Sequence, residues 1–198
     1  DRYAVEKLRR DVAWLGYSQV ILRRDNEPAI VALINEALKS IKVDGLERVA
    51  ESHPPAYDSK SNGGTENAIK LVQGLLRTMK LRLQARLKRH IPLDHLLGAW
   101  MFRHAAWSMV IRSRGSDGKT AYERRKGRKC NMEVVPFGEK VWYLPTHGKG
   151  SSLDPVCEEA IFLTVMDRSD EIILAVKGGT VKARDVRRRP LEERWDAT

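Results

Sequence analysis

SNGGTENAIKLVQGLLRTMKLRLQARL, residues 61–87, decides how the chain is organised. Ile69, Val72, Leu76, Met79, Leu83 and Leu87 recur at steps of three and four, the period of a long amphipathic helix with one buried stripe. Glu66, Lys70, Gln73, Arg77, Lys80 and Gln84 repeat on the same spacing and predict a polar stripe opposite. Just before, AYDSKSNGG (residues 56–64) is polar and glycine-rich, which predicts a mobile loop leading into the helix.

Toward the N-terminus, Val5, Leu8, Val12 and Leu15 predict a helix over residues 3–14 that stops near Gly16. QVIL (residues 19–22) predicts a short strand running into the charged turn RRDN. Pro28 suits the first turn of a second helix whose buried stripe is Ile30, Val31, Ile34, Leu38 and Ile41. LERVA (residues 46–50) predicts a second strand, which SHPP ends. Toward the C-terminus, residues 93–111 predict another helix, with Trp100, Phe102 and Trp107 as core.

Beyond Gly127 the period changes from helical to alternating. GEKVWYL, AIFLTVM, EIILAV and TVKARDV are each of strand length, and VKGGTV is a hairpin turn, so a small β-barrel or curled sheet is expected. The fold class is therefore α/β, with a small all-β, barrel-like domain at the C-terminal end. The domains are expected at 1–128 and 129–198, the latter basic and β-rich.

The composition is globular, with 42% hydrophobic and 31% charged residues. Thirty-six Lys and Arg face 26 Asp and Glu, for a net charge of +10 and a pI near 9.8. The excess is clustered in residues 77–90, 112–129 and 182–189, a distribution that suits a polyanion, since basic side chains displace the counterions condensed on phosphates. The plain alternative for any one run is a solvated face. Cys130 and Cys157 form no CxxC pair and have no matching His spacing, which excludes a disulfide scaffold or structural zinc site and suits an intracellular setting. The most apolar stretch, residues 95–111, is too short and too charged for a membrane span. No signal peptide is expected from the charged opening DRYAVEKLRRD, and without an initiator Met the chain reads as a fragment.

Two carboxylates stand out. Asp25 follows a strand and Glu66 opens a helix, and a strand end and a helix start can converge to hold divalent cations for phosphoryl transfer. Equally, an acid after a strand can be a turn residue, and Glu in a first helical turn suits the macrodipole.

Strand, RRDNEPAI, helix, second strand, HPPAYDSKSNGGTEN and a long basic helix together resemble the second half of the catalytic core of a retroviral or long terminal repeat retrotransposon integrase, over roughly residues 1–115. TAYERRKGRK resembles the segment that follows that core, and PFGEKVWYLP the opening strand of the C-terminal barrel. The resemblance implies an incomplete ribonuclease H-like fold, first strands missing, from a retrovirus-related Pol polyprotein. Asp25 and Glu66 match its second and third catalytic carboxylates and, by the same resemblance, are metal ligands for Mg2+ or Mn2+ in the intact enzyme. Asn62 and Gly63 fall in the flexible active-site loop, and Lys70 lies where integrases place a lysine near element-end DNA. Arg77 and Lys80 extend that face along the phosphates. More residues separate Asp25 from Glu66 than is usual, an insertion expected around Asp58–Ser61.

The family's first Asp is expected to be absent, because only 24 residues precede Asp25 and a helix takes half of them. Asp1 and Asp11 are poor substitutes, so the chain by itself is not expected to be a competent integrase. The resemblance further implies DNA partners (element ends and target), self-association as a homo-oligomer, no membrane, and action in the nucleus. When intact, such an enzyme joins element ends to target DNA by metal-dependent transesterification; the alternative is a non-catalytic nucleic-acid-binding remnant. Arg184, Arg187, Arg188 and Arg189 are either a phosphate-binding edge or a solubilising strand edge. A third possibility is a protein-docking C-terminal domain with Trp142 and Tyr143 as anchors, although alternation places one of the two in the core.

Overall fold

A computed structural model of the chain describes residues 2–24, 27–41, 48–52, 63–92, 94–145 and 156–195. The chain forms two compact units, Asp1–Ile69 and Lys70–Thr198.

The first unit contains α1 (Arg2–Leu15), β1 (Gln19–Arg23), α2 (Pro28–Ile41), β2 (Arg48–Ser52) and the opening of α3 (Gly63–Leu87). β1 and β2 pair in parallel, Val20 opposite Val49. Parallel neighbours need a crossover, and α2 supplies it. Val12 of α1 and Ala37 of α2 are buried together, with Val5, Leu8, Val20 and Leu22 packed around them. Leu15, at the end of α1, is exposed. Ala37 takes a central place because α2 approaches α1 at a residue with almost no side chain. Glu6 pairs with Arg9 and Arg10, and Lys7 with Asp11, on the solvent side of α1.

The second unit holds the rest of α3, α4 (Leu97–Arg112), α5 (Ala121–Lys126) and the strands β3 (Lys140–Tyr143), β4 (Glu158–Val165), β5 (Ile172–Val176), β6 (Gly179–Ala183) and β7 (Val186–Arg188). The strands form an antiparallel sheet in the order β6-β5-β4-β3-β7, so five strands replace the four expected, in an open order with two edges. TVKARDV is broken at Arg184 and Asp185, which sends β6 and β7 to opposite edges. The turn in VKGGTV is where it was expected, with Val176 paired to Gly179 and Gly178 at φ 99°.

Both faces of the sheet are covered. Trp107 of α4 joins Val141, Tyr143, Phe162 and Leu174 in one apolar cluster. Leu83 of α3 and Met101 of α4 join Phe137, Leu163 and Ile173 in another. The neighbours Phe162 and Leu163 are thus both buried, on opposite faces at a register shift in β4. This packing explains why the boundary expected at 128/129 falls inside a compact unit. The change of period there marks a change of element type, while α3 and α4 bury their apolar side chains against the strands that follow.

Helix boundaries and some core assignments also differ from expectation. Gly63 and Gly64, read as loop, lie in the first turn of α3, and α4 starts at Leu97 because residues around Pro92 form turns. Ile69 is 52% exposed, and Phe102, expected in the core, is 55% exposed. α4 is apolar around most of its circumference, and its inward face is set by Met101, His104, Ala105 and Trp107 instead.

The two segments that carried the family resemblance at the C-terminal end have structural roles. In TAYERRKGRK, the Thr120 hydroxyl accepts from the Glu123 N–H and the Glu123 carboxylate accepts from the Thr120 N–H, a reciprocal cap on α5, which Gly127 ends at φ 70°. In PFGEKVWYLP, Phe137 enters the core, and Gly138 sits at φ 82° with a Cβ position only 2.7 Å from Leu83 Cδ1.

Candidate nucleic-acid interface

Glu66 lies in the first turn of α3 and is exposed, a position where a carboxylate is favoured by the helix dipole. Asp25 and Asn62 lie outside the described residues, so of the two expected metal ligands only Glu66 is described. Gly63 is the first residue of α3, with open space where its Cβ would be. Among the described residues no three His, Cys, Asp or Glu side chains gather as a metal site. Asp11 is held on α1 by Lys7.

The basic runs differ sharply in what their cations already touch. Within residues 112–129, Arg124 forms a forked pair with Asp117 at 2.6 and 2.9 Å, which holds the Asp117 carboxyl well below its usual range. Lys126 and Arg128 converge on Asp170 at 3.3 and 3.7 Å, and Arg114 donates to the Gly118 carbonyl. These contacts tie the ends of α5 to their surroundings, although Arg114, Arg124 and Arg128 remain exposed.

Within residues 182–189, Lys182 pairs with Glu171, and Arg189 with Glu159 and Glu193, both at 2.6 Å. Arg188 makes a two-pronged bond to Glu139, Nε to Oε1 at 2.6 Å and Nη2 to Oε2 at 2.8 Å. The Glu139 side chain is 1% exposed, and its hydrogen bonds to the guanidinium raise the Arg188 pKa. Arg188, one of the arginines expected at a phosphate-binding or solubilising strand edge, is thus bonded to a buried carboxylate that sequence reasoning did not single out. Arg184 and Arg187 remain exposed. Trp142 carries Arg189 over its ring at 5.4 Å, while Tyr143 is the buried member of the pair and donates to Glu158.

On α3 the picture reverses. Lys70 and Arg77 are exposed and Lys80 is half-buried, and none has an ion pair with a described carboxylate. Steps of seven and three residues keep the three cations on one side of the helix. Arg82, Lys88 and Arg89 add exposed charge near its C-terminal end. Arg86 differs: it stacks 4.0 Å over Trp195, and desolvation, followed by the charge of Arg82, lowers its pKa.

Arg77 and Lys80 also edge a groove of about 530 Å³ between α3 and α4. His90 also lines it, and Leu76, Met101 and Phe102 are among its apolar residues. Among the described residues no Asp or Glu lines the groove. Phe102 is the feature that sequence reasoning misplaced; its signal was the basic residue next to it, Arg103, on a helix with no clear polar face.

No family model matches the chain, and no curated protein matches it. Among solved structures, it is similar to a chain in the cryo-electron microscopy structure of the simian T-cell lymphotropic virus intasome in complex with PP2A regulatory subunit B56 gamma. The identity is 15% and the TM-score 0.40, over 96% of this chain and 64% of that one. This chain thus spans less than two thirds of the length of the one it resembles.

Proposed function

We propose that this chain is a DNA-binding part of an integrase-type protein, with the α3 cations Lys70, Arg77 and Lys80 as its phosphate track. One observation carries the proposal: Lys70, Arg77 and Lys80 lie on one face of α3 with no described carboxylate partner, while Arg124, Lys126 and Arg128, and Lys182, Arg188 and Arg189, in the other two basic runs are each paired to an Asp or Glu. Uncommitted cations on one rigid helix neutralise phosphates without first breaking ion pairs. Arg184 and Arg187 are auxiliary contacts on a separate stretch of the same unit.

The finer assignment rests on the sequence motifs. They support a ribonuclease H-like core of a retrotransposon Pol polyprotein, acting on DNA in the nucleus as a homo-oligomer. Asp25 and Glu66 are its proposed ligands for Mg2+ or Mn2+, which when bound supply the charge that stabilises attacking and leaving oxygens in transesterification. Lys70, one turn beyond Glu66, holds the DNA strand beside that end of the helix.

The test is duplex DNA binding across a salt series for the wild-type chain and for Lys70→Gln/Arg77→Gln/Lys80→Gln. Each lost phosphate contact flattens the slope of log K against log salt by about 0.9, so the triple variant loses about 2.7. An unchanged slope overturns the phosphate track. Glu66→Gln leaves this binding intact, and Mg2+- or Mn2+-dependent strand transfer that disappears with Glu66→Gln supports the metal-ligand assignment.

A further inference from the structure

We infer that the groove between α3 and α4 takes an unstacked nucleobase, so that the chain binds single-stranded DNA through a contact that duplex DNA does not make. The inference rests on α3 being the phosphate track, and it adds a site for which that track alone has no use.

Three observations carry it. First, the groove is concave and largely apolar, and its volume of about 530 Å³ is within the range of small-ligand pockets. A phosphate track needs no such concavity, because phosphates are gripped at a surface. Secondly, its charge is one-sided: Arg77 and Lys80 line it, and none of the described lining residues is a carboxylate. An occupant must therefore combine an apolar flat face with negative charge nearby, as a nucleotide does. Thirdly, Phe102 lines the groove while remaining 55% exposed. Leaving a phenyl ring in water costs burial energy, and a base stacked on that ring recovers it.

The groove's shape depends on how α3 ends. The Gln84 side-chain oxygen accepts the Ile91 N–H at 3.1 Å, and Ile91 is buried, which fixes the turn that carries His90 toward the rim. Gly98 lines the α4 side, where a larger side chain would narrow the opening. Base-paired DNA presents its bases edge-on inside the stack and cannot place a ring on Phe102, whereas a single strand can turn one out while its flanking phosphates meet Arg77 and Lys80.

The experiment compares a fluorescent oligothymidylate of about 12 nucleotides with a blunt hairpin duplex, using the wild-type chain, Phe102→Ala and Phe102→Trp. Phe102→Ala is expected to weaken single-strand binding about tenfold while leaving duplex binding unchanged, and Phe102→Trp is expected to restore it. Thermal unfolding run alongside verifies that all three are folded. Equal losses on both substrates, or none on either, overturn the inference. So does Phe102-dependent binding of an acidic amphipathic peptide with no Phe102-dependent single-strand binding, which makes the groove a peptide site. Arg77→Gln/Lys80→Gln separates the two claims: if duplex binding ignores these cations while Phe102 still controls single-strand binding, the phosphate track fails and the base pocket stands.

Discussion

Replacing Arg188 with Leu separates a cation that holds the fold from one that holds DNA. The guanidinium meets Glu139 through two hydrogen bonds of 2.6 and 2.8 Å, and the carboxylate is 1% exposed. Removing one partner of such a pair strands the other without water, which costs about 3–5 kcal/mol. Two details place the expected loss at the lower end. Arg194 Nε lies 3.6 Å from the same carboxylate and stays as a partial counter-charge, and Arg188 itself is 27% exposed. About 3 kcal/mol lowers the melting temperature of a chain this size by about 10 °C. Thermal and urea unfolding measure that loss, and the salt slope of duplex binding, taken below the unfolding range, is expected to stay at the wild-type value. Glu139→Leu together with Arg188→Leu removes both charges and is expected to recover most of the stability. Arg187, exposed on the same strand, is the control: Arg187→Leu leaves stability within about 0.5 kcal/mol. The reasoning fails if Arg188→Leu melts like wild type and flattens the salt slope by about one.

His104 and Gly138 supply two more tests. His104 is buried against Trp107, Phe137 and Phe162, its Nδ1 has no hydrogen-bond partner, and burial, with a smaller effect from Arg112, pulls its pKa down to about 4. Because the unfolded imidazole titrates near 6.5, the unfolded chain binds more protons between pH 6.5 and about 4. Its contribution to stability is whole above 6.5 and is lost as pH falls to about 4, by up to about 3 kcal/mol. The urea midpoint of the wild type should therefore fall relative to that of His104→Leu as the pH is lowered; a parallel decline of the two curves excludes His104 as the cause. Gly138→Ala both strains a positive φ and forces a methyl to within 2.7 Å of Leu83 Cδ1, an expected loss of about 2–4 kcal/mol. Adding Leu83→Ala relieves only the clash, so a double variant no more stable than the single sum of its parts shows that the two side chains do not meet.

The sequence carried more of this architecture than of its packing. Period alone located α1, α2 and α3, and two turn glycines located the β5–β6 hairpin, because helix and hairpin signals are local. The inward face of α4 was not legible, since apolar side chains surround the helix and only the sheet decides that Trp107 turns in and Phe102 does not. Glu139 was legible in principle. It shares the parity of Val141 and Tyr143, both buried, so a strand read as alternating already places a carboxylate inside and demands a cation. TVKARDV carried a similar warning: Ala183 and Val186, both buried, are three residues apart, which a single straight strand of period two does not allow. For the proposed track, Lys70, Arg77 and Lys80 were legible as one helix face, whereas the groove was not, because it needs α4 beside α3.

Charge is where sequence and structure part most usefully. Counted from the sequence, the three basic runs look alike, and all three would be assigned to DNA. A cation's availability depends instead on the carboxylate that reaches it, and those carboxylates come from elsewhere in the chain: Asp170 serves Lys126, Glu139 serves Arg188, and Glu159 serves Arg189. Such pairs span between thirty and fifty residues and have no local signal. The acids that could quench α3 are missing from its own sequence between Arg77 and His90, and none of the described ones reaches Lys70, Arg77 or Lys80. For the proposed DNA-binding role, a net charge of +10 is therefore a poor guide to the footprint. The number of counterions released on binding should follow the exposed cations that no described carboxylate reaches, and it should respond to changes at Lys70 and Arg77 far more than to equal changes at the paired Arg188 and Arg189.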